Sequence, residues 1–218
     1  TARVQFIRRS GAKDSSVPLR AFIADARQPN ARLWTRGFKS YDELLDIAWG
    51  DGSDSEPPTD FTESTDPLIL ICTHGKRDAC CAVHGRAFLK QLSEKNRDFV
   101  WESSHIGGHR FAATCVTLPF GHYYGRLQAT DSNLLVDATR RGEVFDLRTY
   151  RGFAALPLPA QIAEGRLREK TQKLSIPDVR YVGESRDNVH EFIVAGSDHP
   201  HLARVVSESS EDKRIKSC

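Results

Sequence analysis

The fold is decided by residues 68–81, which read Leu68-Ile-Leu-Ile-Cys72 and then Thr73-His-Gly-Lys-Arg-Asp-Ala-Cys-Cys81. The first five residues form a continuous apolar run of strand length, as expected for a buried central strand. The polar residues that follow predict a loop, and a helix is predicted from about residue 82 to residue 95. Cys72 therefore ends a strand, and Cys81 lies where the N-terminus of a helix is expected to lower the pKa of a thiol.

A second group of potential ligands lies downstream, at His105-Ile-Gly-Gly-His109. A helix would place both imidazoles on one face, but two adjacent glycines destabilise a helix by about 1 kcal/mol each, so we predict a loop. Three of the five cysteines and four of the eight histidines lie between residues 72 and 109. Two thiols and two imidazoles form a ligand set that suits zinc or a small iron–sulfur cluster.

The remaining cysteines differ in what their positions indicate. Cys80 and Cys81 are neighbours, and adjacent residues do not normally bind one centre together, so one of them is expected to bind and the other to pack. Cys115 lies in the middle of the strand predicted over residues 111–118 and is interpreted as a small buried apolar residue. Cys218 is the last residue and is expected to be exposed.

The order of the predicted elements gives the fold class, which is α/β. From residue 68 to residue 141 the chain is predicted as strand, loop, helix, strand, loop, hairpin and helix, which matches a thioredoxin-like sandwich. Residues 1–65 are predicted as an N-terminal α/β portion that ends in an acidic linker rich in Pro, Gly and Ser. The thioredoxin-like domain is expected to span residues 66–175, and a C-terminal β segment and tail to span residues 176–218.

The composition argues against several classes of protein. Hydrophobic residues make up 39%, charged residues 28% and the net charge is +2, which does not indicate a nucleic-acid partner. No apolar run approaches the roughly 20 residues that span a bilayer, and the apolar stretch at the start is too short for a signal peptide. The crowded cysteines do not resemble a secreted disulfide framework, which favours the cytoplasm. The start, which lacks a methionine, suggests a fragment or a processed chain.

Three strings resemble the sucrase/ferredoxin-like family, namely residues 72–81, residues 101–113 (Trp-Glu-Ser-Ser-His-Ile-Gly-Gly-His-Arg-Phe-Ala-Ala) and residues 123–127 (Tyr-Tyr-Gly-Arg-Leu). The resemblance covers about residues 66–165. It implies a thioredoxin-like ferredoxin with a 2Fe–2S cluster held by two cysteines and two histidines. Carried over position by position, the implied ligands are Cys72, Cys81, His105 and His109, with Cys80 as the alternative to Cys81.

The resemblance implies an electron-transfer protein more than a stand-alone enzyme, with a redox partner such as a flavin-dependent reductase; a homodimer is compatible with it. Neutral imidazoles make a cluster less negative than thiolates do, which raises its potential. The second nitrogen of each imidazole can couple the redox change to pH. Five residues are candidates for contacts around the ligands: Cys80, His74, Arg77, Asp78 and Arg110.

Two alternative functions stay open at the level of the sequence. The same ligand types suit a structural zinc site in an interaction module, although the gap of some thirty residues between the two ligand pairs is unlike that of a zinc finger. A thiol–disulfide oxidoreductase of the same fold is the other alternative. It would need a reactive pair at a helix start, and Cys80 and Cys81 are vicinal instead of separated by two residues.

Overall fold

A computed structural model describes residues 3–10, 19–49, 57–185 and 188–206. Within these segments the strands are β1 (Ile7–Arg9), β2 (Leu19–Asp25), β3 (Arg32–Phe38), β4 (Thr62–Glu63), β5 (Leu68–Cys72), β6 (Val100–Ser103), β7 (Cys115–Leu118), β8 (His122–Tyr124), β9 (Tyr150–Phe153), β10 (Val179–Glu184), β11 (Val189–Val194) and β12 (His201–Arg204). The α-helices are α1 (Tyr41–Leu45), α2 (Ala79–Lys90), α3 (Glu94–Arg97), α4 (Ser132–Arg140) and α5 (Leu158–Thr171). Each of these helices is too short or too polar to cross a bilayer.

A six-stranded sheet forms the centre of the molecule, with the strand order β1-β6-β5-β7-β8-β9. The neighbours β5 and β6 are parallel and are joined through α2 and α3, whereas β7 is antiparallel to β5 and forms a hairpin with β8. A parallel βαβ unit extended by an antiparallel hairpin and a helix is the order predicted from the sequence. The predicted α/β class and its thioredoxin-like arrangement are therefore confirmed.

The central strand β5 is apolar at every position because both of its faces are covered. Ile69 and Ile71 belong to a core that includes residues of α2 and α4. Leu68 and Leu70 belong to a second core on the opposite face, which includes Leu33 of β3. All five residues of the strand are buried, so its end, where Cys72 lies, is held in place from two sides.

Two smaller sheets extend the molecule, one from each end of the chain. The order β2-β3-β4 forms the first and β10-β11-β12 the second, which packs against α5 around Phe192. The strand β4 lies in the segment predicted as a linker, and β1 pairs with β6 inside the central sheet. The segment before residue 65 therefore shares a sheet with the thioredoxin-like portion, and the division of the chain into domains remains a prediction.

Two predicted boundaries near the site were wrong. The helix expected from about residue 82 begins at Ala79, because the side chain of Asp78 caps it by accepting a hydrogen bond from the backbone N–H of Cys80 at 2.9 Å. The strand expected over residues 111–118 begins only at Cys115, and a 3₁₀-helix covers His109–Phe111. As a result, Cys81 lies inside a helix and His109 lies in a 3₁₀-helix.

Candidate metal centre

Three of the four predicted ligands converge at one edge of the central sheet. Cys72, Cys81 and His105 each offer one ligand atom, and these atoms all lie within 4.8 Å of one another. The Nδ1 atom of His105 lies 3.7 Å from the Sγ atom of Cys72 and 3.9 Å from that of Cys81. Both cysteines are fully buried, in a small apolar cluster with Ile106 and the partly buried Tyr123. The group could hold a metal ion.

The two cysteines are brought together by the close approach of α2 to the end of β5. Cys81 is the third residue of α2, and Gly85 lies one helical turn further on the same side. A Cβ atom added to Gly85 would lie 2.3 Å from the carbonyl oxygen of Cys72, which is far inside van der Waals contact. Only glycine therefore fits at this position. Gly85 is not among the residues predicted from the sequence, although a glycine inside a helix, four residues after a candidate ligand, is a signal of close packing.

The histidine loop owes its shape to its two glycines, as predicted. Gly107 and Gly108 have φ angles of +96° and +66°, in the left-handed region that favours glycine. The loop ends at His109, which is the first residue of the 3₁₀-helix. The centre of the His109 ring lies 5.6 Å from that of the His105 ring. His109 is thus adjacent to the group of three ligand atoms but is not a member of it.

Burial decides the protonation of the Cys81 thiol in the metal-free protein. The pKa of this thiol is raised to about 12, mainly by burial and in smaller part by the neighbouring Cys72, Asp78 and Cys80. The prediction that the helix N-terminus lowers this pKa was wrong, because removal from water outweighs the helix dipole. A metal would bind the thiolate, so binding at this site must release a proton.

The imidazole of His105 is held neutral. Burial lowers its pKa, and electrostatic interactions with the neighbouring His109, Arg77 and His74 lower it further, while Asp78 opposes them. A neutral imidazole offers a lone pair to a metal. The histidine therefore needs no deprotonation near neutral pH before it binds.

The other predicted neighbours of the ligands occupy distinct places. Asp78 has its second oxygen 3.9 Å from Nε2 of His109, and its first caps the helix that begins beside the half-buried Cys80. His74 and Arg77 are exposed in the loop of residues 73–78. The guanidinium of Arg110 lies 5.2 Å from the centre of the Phe111 ring. Asp78 thus contacts a candidate ligand directly, and the part played by the others remains a prediction.

Of the remaining cysteines, Cys115 is fully buried in β7, as expected for a small packing residue. Burial raises the pKa of its thiol strongly. Cys218 lies outside the described residues. Cys72, Cys80, Cys81 and Cys115 are not joined in disulfide bonds, so the thiols at the site are available to a metal.

The donor set fits a metal centre with both sulfur and nitrogen ligands. Ligands of one tetrahedral ion lie about 3.3 to 3.8 Å apart, given metal–ligand bonds of about 2.0 to 2.3 Å. The separations of 3.7 Å and 3.9 Å between His105 and the two thiols are close to this range. Two thiolates and two imidazoles also form the ligand set of a Rieske-type 2Fe–2S centre.

Comparison with known proteins identifies the family to which this chain belongs. The model of the sucrase/ferredoxin-like family matches residues 5–152, which include all four predicted ligands. The chain belongs to this family. The family predicted from the three sequence strings is thus confirmed, and the matched range begins well before residue 66, where the predicted resemblance began.

Individual proteins that resemble this chain match smaller parts of it than the family model does. Altered inheritance of mitochondria protein 32 from Meyerozyma guilliermondii is 35% identical over an alignment of 99 residues, and the match covers 41% of this chain and 35% of that protein. The match thus spans about a third of the length of the curated relative. A thioredoxin-like [2Fe–2S] ferredoxin from Aquifex aeolicus is 15% identical, with a TM-score of 0.37 over 43% of this chain and 97% of that one. A cysteine-to-serine variant of that ferredoxin is 14% identical, with a TM-score of 0.34, over 38% of this chain and 96% of that one.

Proposed function

We propose that the protein is an electron carrier in which Cys72, Cys81, His105 and His109 hold a 2Fe–2S cluster. The observation that carries the proposal is the convergence of two buried thiols and an imidazole within 4.8 Å, in a member of the sucrase/ferredoxin-like family. A bound cluster would supply reversible one-electron chemistry. The chain would supply the ligands and shield the sulfur atoms from water with Ile106, which is only 5% exposed.

The choice of a cluster over a single zinc ion rests on the family. Two imidazoles on one tetrahedral zinc ion have their ligand nitrogens about 3.3 Å apart, and two imidazoles on one iron of a Rieske-type cluster lie equally close together. The 5.6 Å between the ring centres of His105 and His109 therefore suits both kinds of site. Membership of the sucrase/ferredoxin-like family is what supports the ferredoxin interpretation over a structural zinc site.

The test is anaerobic purification or reconstitution of the chain with iron and sulfide. We expect a coloured protein with two irons per chain, and an electron paramagnetic resonance signal after reduction. Replacing Cys72 or Cys81 with Ser should abolish these signals, because each removes a thiolate ligand. The matched control, Cys115→Ser, removes an equally buried thiol of β7 and should keep the cluster.

Two outcomes would change the proposal. A colourless protein that holds one zinc ion per chain would replace the electron carrier with a structural zinc site. Loss of colour in Cys80→Ser but not in Cys81→Ser would move the second cysteine ligand to Cys80. The iron content of the wild-type chain distinguishes these two outcomes, because only the first predicts a wild-type chain without iron.

Three further features belong to the same proposal. A carrier needs a redox partner, for which a flavin-dependent reductase is our expectation, and a homodimer is compatible with it. Imidazole ligands retain a second nitrogen, so proton-coupled redox remains a prediction of this ligand set. The cytoplasm remains the predicted compartment, because free thiols persist in reducing surroundings.

A further inference from the structure

Three arginines surround one aromatic ring next to the candidate metal centre. The guanidinium carbons of Arg110, Arg126 and Arg151 lie 5.2, 5.2 and 5.4 Å from the centre of the Phe111 ring. Each distance is that of a cation–π contact. A ring has only two faces, so at least two of the three cations share a side of it. We call these three arginines and Phe111 the arginine cluster.

The arginine cluster is assembled by the tertiary structure from three parts of the chain. Arg110 and Phe111 lie in the 3₁₀-helix that begins at His109, Arg126 follows β8, and Arg151 lies in β9. The backbone N–H of Arg126 donates to the carbonyl oxygen of Phe111 at 2.6 Å. A Cβ atom at Gly125 would lie 2.9 Å from the Cβ of Phe111, so glycine there permits the close approach. The cluster is therefore fixed to the histidine loop itself.

The positive charges of the cluster are not neutralised by the described residues. No carboxylate in the described segments lies within ion-pair distance of Arg110 or Arg126. Arg151 donates through Nη1 to the carbonyl oxygens of Arg148 and Tyr150, and its buried Nε has no partner among those residues. Burial lowers the pKa of Arg151 and the charge of Arg126 lowers it further, with Glu169 opposing them. The repulsion inside the cluster is thus left for an external anion to relieve.

Several exposed arginines outside the cluster do have a carboxylate within reach. Examples are the pairs Arg27–Asp25, Arg97–Glu94 and Arg141–Glu143. The chain has 31 basic and 29 acidic residues, so the local excess of positive charge in the cluster is not a result of overall composition. It extends across the site, because Lys76 and Arg77 are exposed on the loop that precedes α2.

We propose that the arginine cluster is the docking surface for an acidic face of the protein that exchanges electrons with the metal centre, an inference that rests on the proposed function. Guanidinium groups bind carboxylates through paired hydrogen bonds and lose little hydration on contact. Arg110 and Arg126 are exposed, on an open surface. Three cations spread around a ring match several carboxylates of a protein face better than they match one small anion. Arg110 directly follows His109, so a partner bound there lies beside the ligands.

The first arm of the test measures binding without the cluster. A fluorescein-labelled oligo-aspartate peptide is titrated with metal-free protein at about 0.01 M ionic strength, and fluorescence anisotropy is recorded. The triple variant Arg110→Gln/Arg126→Gln/Arg151→Gln is compared with the control Arg27→Gln/Arg97→Gln/Arg141→Gln, which removes the same charge from other elements. We expect the triple variant to bind at least about tenfold more weakly than the control. The double variant Arg110→Gln/Arg126→Gln keeps the half-buried Arg151 and should show a smaller loss.

The second arm measures electron exchange in loaded protein, per cluster as judged by absorbance. Reduced protein passes one electron either to ferricyanide, an anion, or to tris(phenanthroline)cobalt(III), a cation, at about 0.01 M and about 1 M ionic strength. We expect the triple variant to slow the reaction with ferricyanide at low salt by about tenfold and to leave the reaction with the cation no slower. High salt should remove the difference.

Several results would overturn the inference. Equal peptide affinity in the triple variant and the control would show that net charge, and not the cluster, attracts the anion. Tighter binding of pyrophosphate than of the peptide would identify a small phosphate ligand instead of a protein face. A wild-type chain that never holds a cluster would refute the proposed function in the second arm, while the first arm would still decide whether the cluster binds an acidic peptide.

Discussion

Replacing Gly85 with Ala is the sharpest test of how this fold builds its metal centre. The new Cβ atom would lie 2.3 Å from the carbonyl oxygen of Cys72 and 3.1 Å from Cγ2 of Thr73. An ordinary contact begins near 3.4 Å, so α2 and the end of β5 must separate by about 1 Å. Neither partner can yield easily, because the contact is with backbone and Cys72 is fully buried.

The magnitude follows from two opposing effects. Overpacking of a buried contact destabilises a protein by about 1 to 3 kcal/mol, while alanine in a helix is favoured over glycine by about 1 kcal/mol. We expect a net loss of up to about 2 kcal/mol in the free energy of unfolding, or up to roughly 8 °C in Tm for a chain of this size. The shift also moves Cys81 away from Cys72, so cluster occupancy should fall more than stability does.

The assay uses a matched glycine in another helix. A Cβ atom at Gly165 in α5 would lie 3.8 Å from Cδ1 of Tyr150, which is an ordinary contact, so Gly165→Ala should be neutral or stabilising. Urea unfolding of the metal-free variants and the iron content of the reconstituted ones are measured together. A Gly85→Ala variant that is as stable as Gly165→Ala, or that binds iron as the wild type does, would refute the packing argument.

Two further predictions concern buried charged and titratable groups. Burial lowers the pKa of His122 to about 3, and both of its ring nitrogens lack a partner among the described residues. In the unfolded chain this histidine has its ordinary pKa of about 6.5, so between about pH 6.5 and pH 3 only the unfolded chain takes up the proton. The free energy of unfolding should therefore fall as the pH drops from about 6.5 towards 3. His122→Phe should lose less stability than the wild type between neutral pH and mildly acid pH in urea titrations, and parallel losses would contradict the assignment. Arg168 is fully buried, pairs with Glu164 and donates to the carbonyl oxygens of residues 173, 175 and 176, so Arg168→Met should lower the free energy of unfolding by about 3 to 5 kcal/mol. The exposed pair that Arg166 makes with Glu169 provides the control, since Arg166→Met should change it by less than about 1 kcal/mol, and similar losses in both variants would exclude a special role for the buried pair.

The sequence determined those features that depend on neighbouring residues. The apolar run that ends at Cys72 predicted the buried central strand, and the glycine pair between His105 and His109 predicted a loop, because backbone torsions and local burial are set within a few residues. The element order then predicted the thioredoxin-like arrangement. The motif strings predicted the family.

The tertiary structure alone decided what depends on contacts between distant segments. The pKa of the Cys81 thiol is raised instead of lowered, since its burial comes from Ile106 and Tyr123, which lie far along the chain. The β2–β3 hairpin covers one face of the central sheet. The sequence before the predicted linker did not indicate this packing. The gathering of Arg126 and Arg151 around Phe111 joins three elements. Each of these depends on distances that packing fixes after the local structure has formed, and for that reason no local pattern in the sequence specifies them.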